Sequence, residues 1–375
     1  MFFVIGAQMY FKRIELKNFR NYEEETVEFH NRVNIITGKN AQGKTNLLES
    51  LYIMSLGKSF RTNRDAEMIG FDKDFCRAKS TSLKNGRDLE VEIIISREGK
   101  TSKINGLKTS KNIDLLENVY TVVFSPEDMK IVKDEPEKRR RFIDRELCLL
   151  KPLYYRNLGR YKKILQQRNS LLKQQTVDED VIDAWDEGLA EYGAKIIQER
   201  KRFIEKLRSI SREISMAITD GKEALEITYE ACAECRDSYE EQKEYLKEKL
   251  KRNLKADLLR KSTSFGPHKD DLGLHVDGVD IRHFGSQGQQ RTAALSLKLA
   301  EIRLIKEETG ISPVLLLDDV LSELDTDRQN YLIHSLEEVQ LFITATELNE
   351  ELKKKLPEGE TFFVEKGKVK KYEKE

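Results

Sequence analysis

The chain has 375 residues, and its 66 basic residues balance its 66 acidic residues, so the formal net charge is zero. The chain as a whole therefore lacks the net positive charge that would attract nucleic acid, and any DNA-binding surface must be a local patch. No apolar run reaches the roughly 20 residues that span a membrane, and four cysteines are too few for a disulfide framework. Without a membrane span or a signal peptide, the expected location is the cytoplasm. The length indicates two or three domains, and the 35% of charged residues indicates long solvated helices.

The first predicted elements are strands followed by a helix. Residues 1–8 are interpreted as an extra N-terminal segment, because they are short and lack the basic start of a signal peptide. From Tyr10 to Leu16 apolar and polar residues alternate as in a half-buried strand, and Val33–Thr37 has the composition of a buried strand. The residues from Asn46 to Met54 predict an amphipathic helix that ends near Gly57.

The segment between this strand and this helix fits the phosphate-loop pattern G-x-x-x-x-G-K-[ST]. Its glycines allow backbone N–H groups to point at phosphate oxygens, and the helix N-terminus adds a favourable dipole. Lys44 is predicted to contact the β- and γ-phosphates of ATP, and the Thr45 hydroxyl to bind Mg²⁺. A glycine-rich structural turn is the alternative. The residues assigned to this nucleotide site are Gly38, Lys39, Asn40, Ala41, Gln42, Gly43, Lys44, Thr45 and Asn46.

Short β-like runs with two hairpin signals follow the helix. Asn85-Gly86 and Asn105-Gly106 separate these runs. Together with the run Val119–Phe124 they predict an antiparallel subdomain over residues 75–124. Before this subdomain, the exposed basic loop around Arg61 is interpreted as a contact to nucleotide or DNA, or as a solvated connector.

A run of four basic residues opens another predicted helix. Lys138, Arg139, Arg140 and Arg141 on one surface would release counterions from a DNA backbone without reading its sequence. A solvated helix face is the alternative interpretation.

Residues 151–220 have a helical pattern throughout. One apolar seam runs from Leu158 to Leu172 and a second from Leu189 to Ala217, in steps of three and four residues. The two seams predict an antiparallel helical hairpin joined near residues 174–180, whose longer helix would span on the order of 40 Å. Farther along, Cys232 and Cys235 form a lone C-x-x-C, interpreted as two reduced thiols or as half of a zinc site shared by two protomers.

Two further motifs lie near the C-terminus. Small and polar residues around Ser286 precede a long predicted helix, so Ser286 is a predicted N-cap or phosphate ligand. The apolar run Pro313–Leu317 predicts a buried parallel strand that ends in Asp318 and Asp319. Asp318 is predicted to hold the Mg²⁺ that Thr45 also contacts, and Asp319 to orient or deprotonate the attacking water. A strand ending in a capping acid is the alternative.

These motifs together resemble those of the RecF family of bacterial recombination mediators, which are ATP-binding-cassette-type ATPases related to the structural-maintenance-of-chromosomes family. The resemblance covers the chain from Met9 to near its end. It depends on the segments Met9–Tyr22, Gly38–Thr45, Gly57–Thr62, Gly266–Asp271, Ser286–Arg291 and Leu315–Asp325.

The resemblance implies a head-to-head homodimer held together by ATP and released by hydrolysis. In such ATPases the signature turn of one protomer completes the nucleotide site of the other. Ser286 and Gly288, with Gln289 in the same turn, would therefore face the γ-phosphate bound at Lys44 of a second copy. Asp319 stands where transporter ATPases have glutamate, which implies slow turnover. The family also implies binding to double-stranded and gapped DNA at single-/double-strand junctions, and action with RecR and RecO in loading RecA.

The predicted fold is α/β: a P-loop ATPase head of the ATP-binding-cassette type, with an antiparallel β subdomain and an inserted helical-hairpin arm. The expected domains are residues 9–135 and 261–375 for the head and residues 136–260 for the arm. Two alternatives are an architectural DNA-bridging ATPase, whose arm should be longer and end in a hinge, and the nucleotide-binding subunit of a transporter, for which the arm offers no coupling surface. The favoured hypothesis is a weak DNA-dependent ATPase of DNA repair.

Overall fold

A computed structural model describes residues 9–109, 112–174, 178–336, 339–347 and 350–372. The predicted extra segment 1–8 lies outside these residues. The chain divides into two compact units, the first made of Met1–Lys130 and Ala294–Glu375 and the second of Ile131–Ala293. The second unit therefore includes residues 261–293, which the sequence grouped with the head.

The helices and strands follow one another along the chain, numbered separately from the N-terminus. They are β1 (Met9–Phe19), β2 (Tyr22–Glu28), β3 (Val33–Thr37), α1 (Lys44–Leu56), β4 (Phe75–Lys84), β5 (Arg87–Ser96), β6 (Gly99–Ile104), β7 (Leu107–Lys108), β8 (Thr121–Phe124), α2 (Pro126–Met129), α3 (Pro136–Leu150), α4 (Pro152–Leu171), α5 (Glu179–Ile218), β9 (Leu225–Glu230), α6 (Tyr239–Arg260), β10 (Asp271–Val276), β11 (Val279–Asp280), α7 (Ile281–Phe284), α8 (Gln287–Thr309), β12 (Val314–Asp318), α9 (Thr326–His334), β13 (Leu341–Ala345), α10 (Glu350–Lys355), β14 (Gly359–Glu365) and β15 (Lys368–Lys371).

The first unit contains an antiparallel sheet with the strand order β2-β1-β4-β5-β6-β7. Both predicted hairpin turns are confirmed, at Asn85-Gly86 between β4 and β5 and at Asn105-Gly106 between β6 and β7. The φ angles of Asn85 and Gly86 are 52° and 75°, and positive φ at both central residues is what a two-residue hairpin turn of the favoured twist requires.

The second sheet of the first unit is mostly parallel, in the order β15-β14-β3-β13-β12-β8. The prediction that Val119–Phe124 belongs to the antiparallel subdomain is wrong, because β8 pairs parallel with β12. All four residues of β8 are buried, as expected of a strand covered on both faces rather than of one with a solvated face.

Helix α1 contacts β1, β4 and β5 of the antiparallel sheet and β8, β12 and β13 of the parallel sheet. It therefore lies between two layers, and every residue from Leu47 to Leu56 is buried. The predicted end at Gly57 is confirmed, with φ of 65°. The predicted amphipathic character is wrong, since a helix enclosed on all sides has no polar face.

The second unit is built around α5, which packs against α4, α6 and β9. The two predicted helices of the arm are present, and their connection at 175–177 lies outside the described residues. Helix α5 has 40 residues, so it spans about 60 Å at 1.5 Å per residue, more than the predicted 40 Å. The end of the predicted seam is wrong at Ala217, which is exposed.

A small three-stranded sheet, in the order β11-β10-β9, completes the second unit. The predicted Asp277-Gly278 hairpin joins β10 to β11. In the described part of the chain, no helix is both long enough and apolar enough to cross a membrane.

Candidate nucleotide-binding site

The loop from Gly38 to Gly43 connects β3 to α1, and three of its residues have positive φ. The angles are 143° at Gly38, 63° at Ala41 and 123° at Gly43. A Cβ atom on Gly38 would lie 2.3 Å from the carbonyl oxygen of Val364. Only glycine fits such a backbone conformation at so close an approach, so this part of the sequence motif has a direct structural cause.

Two hairpin turns hold the loop from outside. Asn21 Nδ2 donates a hydrogen bond of 2.8 Å to the Gln42 carbonyl, and the Tyr22 hydroxyl donates one of 2.9 Å to the Gly43 carbonyl. The Gly367 N–H, in the turn between β14 and β15, donates to the Gln42 carbonyl at 3.1 Å. The sequence did not predict these three contacts. It indicated the segment Met9–Tyr22 only as part of the family resemblance.

Lys44, the first residue of α1, is buried, and its ammonium group lies over the loop. Its Nζ donates to the carbonyl oxygens of Gly38 at 2.7 Å and Lys39 at 3.2 Å. The backbone carbonyls thus position the cation at the centre of the loop, while the side chains of Lys39, Asn40 and Ala41 are exposed.

Arg61 lies beside the start of α1, as the sequence predicted for a basic loop near the phosphates. Its Nη1 donates to Asn46 Oδ1 at 2.6 Å and lies 3.5 Å from Glu49 Oε2. Asn46 in turn donates to Asn21 Oδ1 at 2.8 Å. Arg61 is exposed, so its outer N–H groups can contact a ligand.

The carboxylate at the end of β12 meets the phosphate-loop helix. Asp318 Oδ1 accepts a hydrogen bond of 2.8 Å from Thr45 Oγ1 and one of 2.9 Å from Thr344 Oγ1. Thr45 and Asp318 are 273 residues apart in the chain, yet they are brought together because β12 and β3 lie in one parallel sheet with β13 between them.

Asp319 follows in a left-handed conformation with φ of 53°. Its backbone N–H donates to Thr344 Oγ1 at 3.0 Å. Burial raises the pKa of the Asp319 carboxyl, with a further increase from Asp318, while the charge of Lys44 opposes both. Few residues other than glycine adopt this backbone conformation, and it ends strand β12 at Asp318.

The oxygens of Thr45 and Asp318 are of the type that Mg²⁺ takes in proteins. Within the described residues, no group of three or more His, Cys, Asp or Glu is arranged to hold a metal ion. Two protein oxygens beside a phosphate loop fit Mg²⁺, which keeps several waters and takes further ligands from substrate phosphates.

The signature turn belongs to the second unit, whereas Lys44 and Asp318 belong to the first. Ser286 caps α8 as predicted, since its Oγ accepts from the Gln289 N–H at 3.1 Å and Gln289 Oε1 accepts from the Ser286 N–H at 3.0 Å. Ser286 is exposed, and Gly288 and Gln289 are partly exposed.

The predicted basic surface at residues 138–141 is wrong for Arg139. Its side chain is only 5% exposed and forms a two-pronged ion pair with Asp271, at 2.7 Å from Nε to Oδ1 and 2.8 Å from Nη2 to Oδ2. Four consecutive residues of a helix point in different directions, because each is rotated about 100° from the last. One of the four therefore faces the core.

The other three basic residues differ in exposure. Lys138 and Arg141 are exposed and pair with acids four residues earlier, Asp134 before α3 and Glu137 on it. Arg140 is half-buried and donates to the Asp270 carbonyl oxygen at 2.7 Å. All four cysteines are free thiols, and burial raises the pKa values of Cys232 and Cys235, which favours the interpretation as reduced thiols.

The fold and the site define a P-loop ATPase head of the ATP-binding-cassette type. Comparison with family models matches residues 10–368 to the RecF/RecN/SMC N terminal domain. The Smc head domain of Pyrococcus furiosus, solved with an extended coiled coil, superposes with a TM-score of 0.54 at 15% identity, covering 97% of this chain and 96% of that one. At that identity the likeness concerns the fold alone.

Two relatives are much more similar. The DNA replication and repair protein RecF of Alkaliphilus oremlandii is 46% identical over 365 residues, which cover 96% of this chain and 100% of that protein. A solved structure described as the recombination mediator protein RecF-ATP in the RecFOR pathway superposes with a TM-score of 0.92 at 38% identity, covering 100% of both chains. The chain belongs to the RecF family.

Proposed function

We propose that this chain is a DNA replication and repair ATPase that binds ATP and Mg²⁺, dimerises on DNA and separates when ATP is hydrolysed. The single observation that carries the proposal is the hydrogen bond of 2.8 Å between Thr45 and Asp318. It puts the hydroxyl of the phosphate loop against the carboxylate of a distant strand, which is the arrangement that P-loop ATPases use around Mg²⁺ and the β- and γ-phosphates.

Each residue of the site has a distinct task in this proposal. The N–H groups of Gly38–Thr45 and the Lys44 ammonium bind the phosphates, and Thr45 and Asp318 are the protein ligands of Mg²⁺. When bound, Mg²⁺ neutralises charge that develops on the phosphate oxygens. Asp319 accepts a hydrogen bond from the attacking water and takes its proton. Because the side chain of Asp319 is shorter than that of glutamate, we expect turnover to be slow.

The signature turn is proposed to act in trans. Ser286 is exposed at the N-terminus of the 23-residue helix α8, and such a helix end favours an anion. A second copy of the chain would present its bound γ-phosphate to Ser286 and Gly288, with Gln289 supporting the turn through its bond to Ser286. ATP would then link two protomers, and loss of the γ-phosphate would release them.

The DNA substrate and the protein partners are inferred from the family. The relatives are named for DNA replication and repair, and a solved relative is placed in the RecFOR pathway. We infer that this chain acts in the cytoplasm on double-stranded and gapped DNA at single-/double-strand junctions, that DNA stimulates its weak ATPase, and that it works with RecO and RecR to load RecA.

A mixing experiment tests the composite site. Lys44→Met disables the phosphate loop and Ser286→Arg disables the signature turn, so neither protein alone can form an intact site. A mixed dimer contains one intact site, formed by Lys44 of one protomer and Ser286 of the other. Light scattering with ATP, with and without gapped DNA, should show monomers for each variant alone and dimers for the mixture.

Ser170→Arg is the matched control, because Ser170 is an exposed serine on α4 of the same unit. It should dimerise with ATP like the unchanged protein. If Ser286→Arg alone dimerises and turns over ATP normally, the trans site is wrong.

A further inference from the structure

A cavity of about 260 Å³ is lined by residues of the second unit. Helices α3, α4 and α5 line it, together with a short 3-10 turn at Pro267–Lys269. Its volume is below the roughly 300–1,000 Å³ of sites for drug-sized ligands, so the cavity suits a small group with a few waters rather than a whole nucleotide.

Four cations line this cavity against two carboxylates. The cations are Arg140, Arg141, Lys162 and Arg200, and the carboxylates are Glu137 and Asp144. Glu137 pairs with Arg141 at 2.5 Å in an exposed contact of one helix turn. Asp144 lies 2.8 Å from Arg200 and 3.7 Å from Lys162.

Arg140 is the one of these four cations that forms no ion pair with a described carboxylate. Its described contact is one hydrogen bond from Nη1 to a backbone carbonyl, that of Asp270. A guanidinium has five N–H donors, and none of the described carboxylates forms an ion pair with this one. A half-buried arginine at a cavity wall without a counter-charge is ready to bind an anion through two parallel hydrogen bonds.

Arg200, at the base of the cavity, is held in place by hydrogen bonds and by two carboxylates. Arg200 is 3% exposed and donates to the Tyr154 hydroxyl at 3.1 Å, to the Pro267 carbonyl at 2.6 Å and to Asp144 and Asp270. These bonds fix its position on α5. His268, also in the wall, has its pKa lowered to about 4 by burial, with Lys269 and Arg140 adding to the effect, so it carries no charge at neutral pH.

We propose that this cavity binds a phosphate group, with Arg140 as the anchor and Lys162 and Arg141 at its exposed mouth. Arginine and phosphate match in shape and charge, and a phosphate would supply the counter-charge that Arg140 lacks. The phosphate can belong to a nucleic-acid strand or be free inorganic phosphate, and the two sources share this chemistry. The inference does not depend on the ATP-linked dimer.

Two titrations of the full-length chain test the inference. One follows inorganic phosphate by isothermal titration calorimetry, and the other follows a fluorescent oligothymidine by anisotropy at several salt concentrations. Every protein carries Lys44→Met, which weakens phosphate binding at the loop equally in all of them. The variants are Arg140→Gln and Lys162→Gln. The control is Arg252→Gln, which removes an exposed cation on α6 of the same unit that pairs with Glu248.

Arg140→Gln should weaken phosphate binding by about tenfold or more relative to Arg252→Gln, the size expected for a lost hydrogen bond between charged groups. Lys162→Gln, which is exposed and does not disturb the core, should weaken it less. If the oligothymidine also binds more weakly and its salt slope falls by about one, the source is a strand. If only inorganic phosphate is affected, the site takes the free anion. Equal affinities of Arg140→Gln, Lys162→Gln and Arg252→Gln for both probes would overturn the proposal.

Discussion

The charged residues of the phosphate site in the first unit and those of the buried network in the second unit are held in different ways. In the first unit, Lys44 and Asp318 lie at the ends of secondary-structure elements and are held by backbone carbonyls and hydroxyls. In the second unit, arginines and carboxylates are buried against each other, as in Arg168 with Asp186 and Asp257. Charges of the first kind can rearrange around a ligand at small cost, whereas charges of the second kind cannot be separated without leaving an unpaired ion in the core.

This difference means that similar substitutions should have different consequences in the two units. Removing a charge from the buried network should mainly lower the stability of the second unit. Removing a polar group from the phosphate site should mainly lower ATP turnover. We expect the largest effect on stability in the buried network and the smallest at the phosphate site.

Arg168→Met should be the most destabilising substitution of those proposed for the two units. Arg168 is fully buried, with Nε 2.5 Å from Asp186 Oδ1 and Nη1 2.7 Å from Asp257 Oδ2. Without it, two carboxylates are left in the core, and the free energy of unfolding should fall by about 3–5 kcal/mol. Urea unfolding measures this loss. Arg156→Met, on the exposed face of the same helix α4, should stay within about 0.5 kcal/mol. A loss below about 1 kcal/mol at Arg168 would show that the network is not coupled to folding.

The same contrast explains which features could be predicted from the sequence. The phosphate loop could be predicted because its glycines, Lys44 and Thr45 occur at a fixed local spacing. The strand before Asp318 could be predicted from its run of apolar residues. The ion pairs of the buried network cannot be predicted from local spacing. Arg139 and Asp271 are 132 residues apart, and no periodicity connects them, so Arg139 was grouped with its exposed neighbours.

Other differences arise from tertiary packing. The apolar spacing of α1 predicted one buried face, but two sheets cover this helix and bury even Glu49, which Arg20 pairs at 2.7 Å. The supports of the loop by Tyr22 and Gly367 come from turns that have no motif of their own. Sequence patterns therefore locate the chemistry of the site, while the contacts that hold it in place depend on the fold.

His268 should make the stability of the protein depend on pH. Since the Thr263 carbonyl can only accept, Nε2 carries the proton and donates to it at 3.0 Å, and Nδ1 accepts from the Tyr161 hydroxyl at 2.7 Å. Burial lowers the pKa of His268 from 6.5 to about 4. Between these values the unfolded chain binds a proton that the native protein does not, so stability falls as the pH falls.

From pH 7 to pH 5 this histidine should remove about 2 kcal/mol of stability. His268→Gln lacks the titrating group. In urea unfolding, the loss of stability from pH 7 to pH 5 should therefore be about 2 kcal/mol smaller for this variant than for the unchanged protein. His283→Gln, an exposed histidine of the same unit, should retain the full dependence. Equal pH profiles for His268→Gln and the unchanged protein would contradict the assignment of a neutral, buried imidazole.

Thr45→Val, in the first unit, should lower ATP turnover strongly and stability only slightly. The substitution keeps the shape of the side chain but removes the hydroxyl that donates to Asp318 at 2.8 Å. Asp318 retains its bond of 2.9 Å from Thr344, so the free energy of unfolding should fall by only about 1 kcal/mol. ATP turnover should fall by at least about 10- to 100-fold, because Thr45 is a proposed Mg²⁺ ligand and even the loss of an outer partner of a ligand has that cost.

The serine variant distinguishes the hydroxyl from the packing of the methyl group. Thr45→Ser keeps the oxygen, and it should retain most of the turnover and the dependence on Mg²⁺ concentration, whereas Thr45→Val should require more Mg²⁺ for half-maximal rate. If Thr45→Val lowers stability as much as Arg168→Met does, the phosphate site is as tightly coupled to folding as the buried network, and the contrast between the two units fails. If both Thr45 variants lose turnover equally, the hydroxyl is not the group that matters, and Asp318 must act without it.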